Sequence, residues 1–230
     1  MGGMKFAHLG IVALALAWLP LAARAGAPAV DAATKASCGI SSSGALKCPR
    51  FGFAYKVPFG WVDRTADLGE PSQPESGQDA ASPPGQAKVP GGRASSAAAE
   101  TLLAVFERPP GAPGDTINSA VVIAAEPAAN YPQVKTAADY FGAINEVAEH
   151  DGFTAVEGPY AFPVGEKQLV RGDFSKQRGK LTMWQSTLVA IEKGYIVSFT
   201  FIGGSQDEND ELISNLSFRS TAPSSHGVKK

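Results

Sequence analysis

Residues 181–202 read LTMWQSTLVAIEKGYIVSFTFI and predict the centre of a β-sheet. Leu181–Ile191 and the run from Tyr195 are joined by Glu192-Lys-Gly194, a tight-turn signal. In the second run, one face of a strand would carry Tyr195, Val197, Phe199 and Phe201, and the other Ile196, Ser198, Thr200 and Ile202. Together with Gln168–Ser175 upstream, the pattern predicts a three-stranded antiparallel meander.

Three further strands are predicted before this meander. Phe51–Val57 alternates large apolar residues with small or charged ones, which is typical of a strand with one buried face. Thr101–Phe106 and Ala120–Ala125 are apolar on both alternating faces, as expected of central strands. We expect these two runs to pair as an antiparallel hairpin.

Two helices complete the pattern. Apolar residues recur at three- and four-residue spacing over Thr136–His150, with Asp139 placed to form a capping pair with Thr136 and Gly152 suited to a left-handed end. A second, short helix is predicted after Ser205, with Glu208 completing a capping box. The order of elements predicts an α+β domain in which an antiparallel sheet is sandwiched by helices, an α/β/α arrangement.

The domain is predicted to span residues 38–219, between a flexible leader at 26–37 and a polar tail at 220–230. Residues 64–98 lack aromatic side chains and are dense in Pro, Gly and Ser. Such a segment has little apolar surface to bury, so we expect a long disordered insertion that is dispensable for folding.

Residues 1–25 have the pattern of a cleavable secretory signal peptide. Lys5 precedes the uncharged run Ile11–Ala23, and Ala23-Arg-Ala25 is a small-x-small triplet before Gly26. The alternative is a transmembrane anchor, which would need about 20 apolar residues. The run of 13 residues is too short for that. We therefore expect an extracytoplasmic protein, periplasmic or secreted, without a stable membrane anchor after cleavage.

The two cysteines, Cys38 and Cys48, are predicted to form a disulfide. Export places them in an oxidising compartment, and the serine- and glycine-containing stretch between them can turn easily. A redox or metal site is the alternative, but the spacing is not Cys-x-x-Cys and no histidine lies nearby.

Composition excludes one broad class of function. The chain has 20 Lys and Arg against 22 Asp and Glu, a formal net charge of −2. A nucleic-acid-binding protein normally carries a basic surplus that neutralises phosphates, so we expect no nucleic-acid partner.

The residues that could carry chemistry favour structural roles. His150 ends a predicted helix, where it complements the helix dipole and has no partner by spacing, although a general base or metal ligand stays open. Arg171-Gly-Asp173 spells an adhesion tripeptide, but it lies inside a predicted strand. Trp61 and Trp184 are expected to pack in the core, with ligand stacking as the alternative.

A basic cluster marks the tip of the predicted hairpin after Ser175. Lys176, Arg178 and Lys180 stand at alternate positions there. A solvated turn is the ordinary interpretation, and an acidic partner is the alternative.

The arrangement resembles the PsbP-like family, whose fold includes a photosystem II extrinsic protein, a Ran-binding nuclear-import release factor and bacterial envelope proteins, some of which bind lipids. The residues that carry the resemblance are Phe53-Ala-Tyr-Lys-Val-Pro-Phe-Gly-Trp61, the helix around Ala137–Ala148, Gly194-Tyr-Ile-Val-Ser-Phe199 and Leu216-Ser-Phe-Arg219. It covers most of residues 48–219 and implies an antiparallel sheet sandwiched by helices. None of the family's functional residues maps onto this chain, and the insertion departs from the compact pattern.

These observations favour an exported, non-enzymatic bacterial envelope protein that binds a protein partner or an apolar ligand. No catalytic, cofactor-binding or metal-binding residue is predicted. Two alternatives stay open: a hydrolase that uses distant carboxylates, and a structural or assembly protein.

We expect signal cleavage between Ala25 and Gly26, because the small-x-small triplet directly follows the apolar run. Mass spectrometry of the exported protein should find an N-terminus at Gly26. An exported chain that still begins at Met1 would contradict the secretory interpretation.

Overall fold

The computed structural model describes residues 37–69 and 99–219, and at its centre lies the hairpin expected from residues 181–202. The signal sequence with its Ala25–Gly26 cleavage site, the leader up to residue 36, residues 70–98 and the tail at 220–230 lie outside the described residues. In chain order the elements are β1 Gly39–Ile40, β2 Ala45–Cys48, β3 Phe53–Lys56, β4 Val62–Asp63, α1 Thr65–Gly69, β5 Glu100–Phe106, β6 Ala120–Pro127, α2 Phe141–His150, β7 Thr154–Val164, β8 Lys167–Arg178, β9 Leu181–Glu192, β10 Tyr195–Gly203, α3 Gln206–Ile213 and β11 Leu216–Phe218.

Within the described chain, seven strands form one antiparallel sheet in the order β4-β5-β6-β10-β9-β8-β7. The predicted meander is confirmed as β8-β9-β10, and the predicted hairpin as β5-β6. Phe199 stands opposite Leu188 on one side and Ile123 on the other, and all three side chains are completely buried. The most apolar strands therefore lie at the centre of the sheet.

The expectation that helices cover both faces of this sheet is only half right. One face, here called the inner face, packs against α3 and a second sheet of four short strands in the order β1-β2-β3-β11. The second sheet forms because Leu46, Phe53, Tyr55 and Leu216 alternate with exposed or half-buried residues, so each short strand has one apolar face to bury. The architecture is thus mixed α+β, with two packed sheets.

The opposite face, the outer face, is covered by helices as expected. Helix α2 packs through Phe141 and Ala148 onto β8, β9 and β10, and Leu68 of α1 packs at the far end near Phe106. Helix α2 begins later than predicted, since residues 136–140 form turns with i→i+3 hydrogen bonds. The capping pair still forms: the backbone N–H of Thr136 donates to Asp139 Oδ2 at 2.7 Å.

The helix end at Gly152 is confirmed, with a φ of +80°. Only glycine reaches this left-handed region without a steric cost, so the sequence marks where α2 stops.

Strand β7 was not predicted from the sequence. Gly158, Pro159 and Pro163 argue against a strand, yet β7 pairs with β8 along the edge of the sheet. Two register shifts beside Glu157 absorb the irregular backbone. An edge strand tolerates proline because one side of its backbone faces solvent, and the same bulges and prolines protect the edge from pairing with other chains.

The predicted disordered insertion starts too early. Asp63 Oδ1 accepts a hydrogen bond from the backbone N–H of Thr65 at 2.8 Å, and Thr65 Oγ1 accepts one from the N–H of Ala104 at 3.0 Å. Leu68, the only leucine of the segment, packs against the cluster that contains Phe106. The overall composition of residues 64–98 did not indicate this contact. Residues 64–69 are therefore part of the folded domain.

A close approach fixes α2 on the sheet. A Cβ atom added at Gly172 of β8 would lie 2.5 Å from Cε1 of Phe141, and Phe141 is 1% exposed. Real side chains do not approach so closely, so the Phe141 ring rests directly on the glycine backbone.

We expect Gly172→Ala to destabilise the protein by about 1–3 kcal/mol, because the ring and α2 must shift to admit the methyl group. Gly158→Ala is the matched control, since an added Cβ there meets nothing within 4 Å and the change should stay within about 0.5 kcal/mol. Urea unfolding of both variants measures the difference. Equal midpoints would show that α2 is not seated on Gly172.

Candidate functional site

The structure brings Cys38 and Cys48 to disulfide-bonding distance, with their Cα atoms 4.1 Å apart. Cys48 ends β2 and is fully buried, whereas Cys38 directly precedes the edge strand β1. The pair therefore closes the β1-β2 hairpin at the point where the chain enters the small sheet.

The side chain of His150 lies on the surface, 88% exposed, with Nδ1 3.4 Å from Asp151 Oδ1. Across residues 37–69 and 99–219, no group of three or more His, Cys, Asp or Glu side chains could hold a metal ion. In the same ranges, no helix is both long and apolar enough to cross a bilayer.

The tripeptide Arg171-Gly-Asp173 is buried rather than displayed. Arg171 Nε donates to both carboxylate oxygens of Asp173 at 3.0 Å, and Ser186 Oγ donates to Asp173 Oδ1 at 2.6 Å. Asp210 of α3 accepts from Arg171 Nη1 at 2.6 Å, and the hydroxyl of Tyr160 donates to Asp173 Oδ2 at 2.8 Å. Burial and this hydrogen bond to Asp173 raise the pKa of Tyr160. The network ties α3 and β7 to the inner face and leaves no adhesion loop.

The two tryptophans differ in their surroundings. Trp61 is half-buried against the main core, in line with the predicted packing role. Trp184 is half-buried beside a surface cleft at the start of α3, whose lining includes Lys180 and Glu208. Glu208 already binds the hydroxyl of Ser119 and the backbone N–H of Gly204, so its carboxylate is engaged in holding α3.

A narrow crevice separates α2 from the outer face of the sheet. Its floor carries hydroxyl and amide groups from Gln185, Thr187, Ser198 and Thr200, and its volume is about 60 Å³. This space holds a few water molecules, each needing roughly 10–15 Å³, and is too small for a larger ligand. We call it the α2 crevice.

Glu126 closes one end of the α2 crevice between two tyrosines. The hydroxyl of Tyr131 donates to Glu126 Oε2 at 2.5 Å, and that of Tyr140 donates to Oε1 at 2.6 Å. Burial, the hydrogen bond to Glu126 and its negative charge raise the pKa of Tyr131 to about 12. Burial and the charge of Glu126 also raise the pKa of Tyr140. Both phenols stay protonated near neutral pH and hold the start of α2 on β6.

A larger cleft opens on the outer face beyond the reach of α2. It lies between α1, the β5-β6 connection and the β8-β9 turn, and its volume is about 570 Å³. Arg64, Arg108 and Arg178 line its rim, and we call it the arginine cleft. Its apolar floor consists of Leu68, Phe106, Ile117, Ala120, Leu181, Met183 and Ile202.

The floor of the arginine cleft is recessed apolar surface of the sheet itself. Phe106, Ile117, Ala120 and Ile202 are each no more than 8% exposed and form one packed cluster. Leu181 at the start of β9 is more open, at 37%. An apolar concavity with a few polar groups at its edge is the usual form of a small-molecule site, and such sites span about 300–1,000 Å³.

The three arginines of the rim are held differently. Arg108 Nη1 donates to Thr116 Oγ1 at 2.9 Å, and the guanidinium lies over Gly114, whose added Cβ would be 2.9 Å from Cζ. Arg64 pairs with Asp67 at 2.5 Å in an exposed ion pair. Arg178 makes no hydrogen bond or ion pair through its side chain with any described residue.

Sequence reasoning missed the arginine cleft, although it noticed one of its residues. Arg178 belonged to the basic cluster at the hairpin tip, which the structure divides: Lys176 Nζ donates to the backbone oxygen of Asp151 at 2.5 Å, whereas Arg178 faces the cleft. The floor residues come from α1, the β5-β6 connection and four strands, so no local motif joins them.

No family model matches the chain, and no curated protein matches it. Several solved structures are similar in part, and two of them are PA94 and LpqN. PA94 of Pseudomonas aeruginosa, a protein of unknown function suggested to be a regulator, is 16% identical over 58% of this chain and 90% of that chain, with a TM-score of 0.35. LpqN of Mycobacterium tuberculosis, involved in cell envelope biogenesis, is 12% identical over 72% of this chain and 82% of that chain, with a TM-score of 0.34. At these values neither likeness carries an argument about function.

We expect the stabilising effect of Tyr131 to weaken above about pH 10. The unfolded chain loses the phenol proton near pH 10, whereas the folded chain holds it to about pH 12. Above pH 10 the unfolded chain is therefore stabilised by releasing the phenol proton while the folded chain still holds it. The stabilising contribution of Tyr131, which is complete below pH 10, is lost as the pH rises. Urea unfolding at pH 9 and pH 11 should show the advantage of the native chain over Tyr131→Phe shrinking, by at most about 1.4 kcal/mol per pH unit. A constant difference would contradict the expectation.

Proposed function

We propose that this chain is an exported, non-enzymatic envelope protein of PsbP-like type that binds an apolar ligand in the arginine cleft. The observation that carries the proposal is the recessed apolar floor formed by Phe106, Ile117, Ala120 and Ile202, open to solvent beside Leu181. Burying an apolar chain on such a surface contributes about 25 cal/mol for each Å² removed from water.

Two features support an extracytoplasmic location. The first 25 residues have the pattern of a secretory signal, and the two cysteines lie at disulfide-bonding distance. An envelope compartment is also where a protein meets amphiphilic lipids outside a bilayer.

The alternative functions fit the cleft less well. A hydrolase with paired carboxylates needs two acidic groups at one site, and the arginine cleft offers Asp67 alone beside three arginines, which do not lose their protons. An assembly protein needs a contiguous exposed apolar patch. The exposed large apolar residues Ile40, Phe59, Val156 and Leu181 lie on four different strands or turns.

Binding of N-phenyl-1-naphthylamine, an uncharged apolar dye whose fluorescence rises in apolar surroundings, tests this function. We expect the mature protein to bind the dye saturably. Leu181→Asp should weaken binding at least tenfold, because it places a charge on the open part of the floor.

Val156→Asp is the matched control, since it changes a similarly exposed apolar residue on β7, at the opposite edge of the sheet from α1. Its affinity for the dye should equal that of the native chain. No saturable binding, or equal weakening by both variants, would reject the arginine cleft as an apolar binding site.

A further inference from the structure

The rim of the arginine cleft is positively charged in a chain whose formal net charge is −2. Three arginines and the carboxylate of Asp67 are the charged residues that line the cleft, and Glu107 beside it pairs with Arg108 at 3.2 Å. Arg178 is therefore the arginine whose charge no described residue compensates. Like charges gathered around one concavity repel one another unless a ligand or counter-ion compensates them. The cleft is therefore complementary to an anion.

The three guanidinium groups are unequally free to meet that anion. Arg108 is held by Thr116, by an ion pair with Glu107 and by the surface of Gly114, so its charge is fixed in position and partly compensated. The Arg64–Asp67 pair is solvent-exposed, with both side chains about half exposed, and pairs of this kind contribute little stability. Arg178 has no partner among the described residues, so an anion that binds it displaces none of them.

We propose that the arginine cleft takes a monomeric single-chain amphiphile with an anionic head group. The proposal rests on the proposed function, because the apolar floor must hold the chain. Arg178 receives the head group with help from Arg64, and Arg108 adds its charge from the fixed side. A planar guanidinium presents paired N–H donors that match the oxygens of a carboxylate or phosphate.

The recessed floor favours a monomeric ligand over a membrane surface. Phe106, Ala120 and Ile202 lie below the rim and are at most 8% exposed, so they cannot insert into a bilayer. A protein that docks on anionic lipids needs apolar residues that protrude beside its basic groups. Here most of the apolar surface is recessed, and among the large apolar residues of the cleft only Leu181 is exposed.

Competition against N-phenyl-1-naphthylamine at pH 8 tests the head group. The competitors are dodecanoate, which is ionised at this pH, and dodecanol, which has the same chain length and no charge. We expect dodecanoate to compete at least tenfold better than dodecanol. Added salt should weaken dodecanoate and leave dodecanol unchanged.

Arg178→Gln should reduce the preference for dodecanoate at least fivefold without changing competition by dodecanol, which reports that the floor is intact. Arg219→Gln is the matched control, an exposed arginine after β11 that does not line the cleft. Its preference should equal that of the native chain.

Each other outcome has a distinct meaning. If the dye binds but both competitors act equally, the anionic head group is wrong and the apolar site stands. If the preference for dodecanoate persists in both Arg178→Gln and Arg64→Gln, the arginines do not bind the head group and the proposal is overturned. If the dye does not bind, the proposed function fails first. A last outcome concerns membranes. If the protein sediments with phosphatidylglycerol vesicles, the arginine variants do not, and dodecanoate is not preferred, then the rim binds a membrane surface and the proposal is overturned.

Discussion

The structure depends on one requirement: the β9-β10 hairpin is apolar on both faces, so both faces must be covered. Leu188, Phe199 and Phe201 point to the inner face, whereas Val189 and Ile196 point to the outer one, and all are essentially removed from water. No single layer can cover both sides of a sheet. The small sheet with α3 meets the first requirement, and α2 with α1 meets the second.

At two places where polar side chains interrupt the covered faces, residues in or just before the covering helices supply partners. On the inner face Arg171, Asp173 and Ser186 would be costly to bury alone, and Asn209 and Asp210 of α3 complete their hydrogen bonds. On the outer face Glu126 is satisfied by the two tyrosines that precede α2. Each helix is thus positioned by a polar contact as well as by apolar packing.

The arginine cleft is the place where coverage of the outer face is incomplete. Helix α2 covers the sheet beside β8 and β10, and α1 is too short to cover the remaining apolar surface near Phe106 and Ile202. Of the three arginines above that surface, Arg64 and Arg108 are paired with Asp67 and Glu107, and Arg178 has no described partner. The least covered part of the outer face is therefore also where an unpaired arginine lies beside apolar surface.

Much of the fold follows from short-range pattern in the chain. Several features are each encoded by residues that lie close together in the chain. They are the strands of the meander, the β5-β6 hairpin, the end of α2 at Gly152 and the capped start of α3. The pairing of Cys38 with Cys48 belongs to the same class, since the two residues stand ten positions apart on either side of a short hairpin. Periodicity and turn chemistry are local properties, so they can be recognised without knowing which residues meet in space.

The α+β class, the antiparallel meander, the cysteine pair and the expectation of export all follow from local patterns in the chain. The second sheet on one face, the pairing of β7 despite its prolines, the docking of Leu68 and the position of Arg178 beside an apolar floor became visible in the folded molecule. These outcomes depend on contacts such as Leu68 with the Phe106–Ile202 cluster, between residues far apart in the chain. Burial at such contacts depends on which surfaces meet in space, and no local pattern of residues records that.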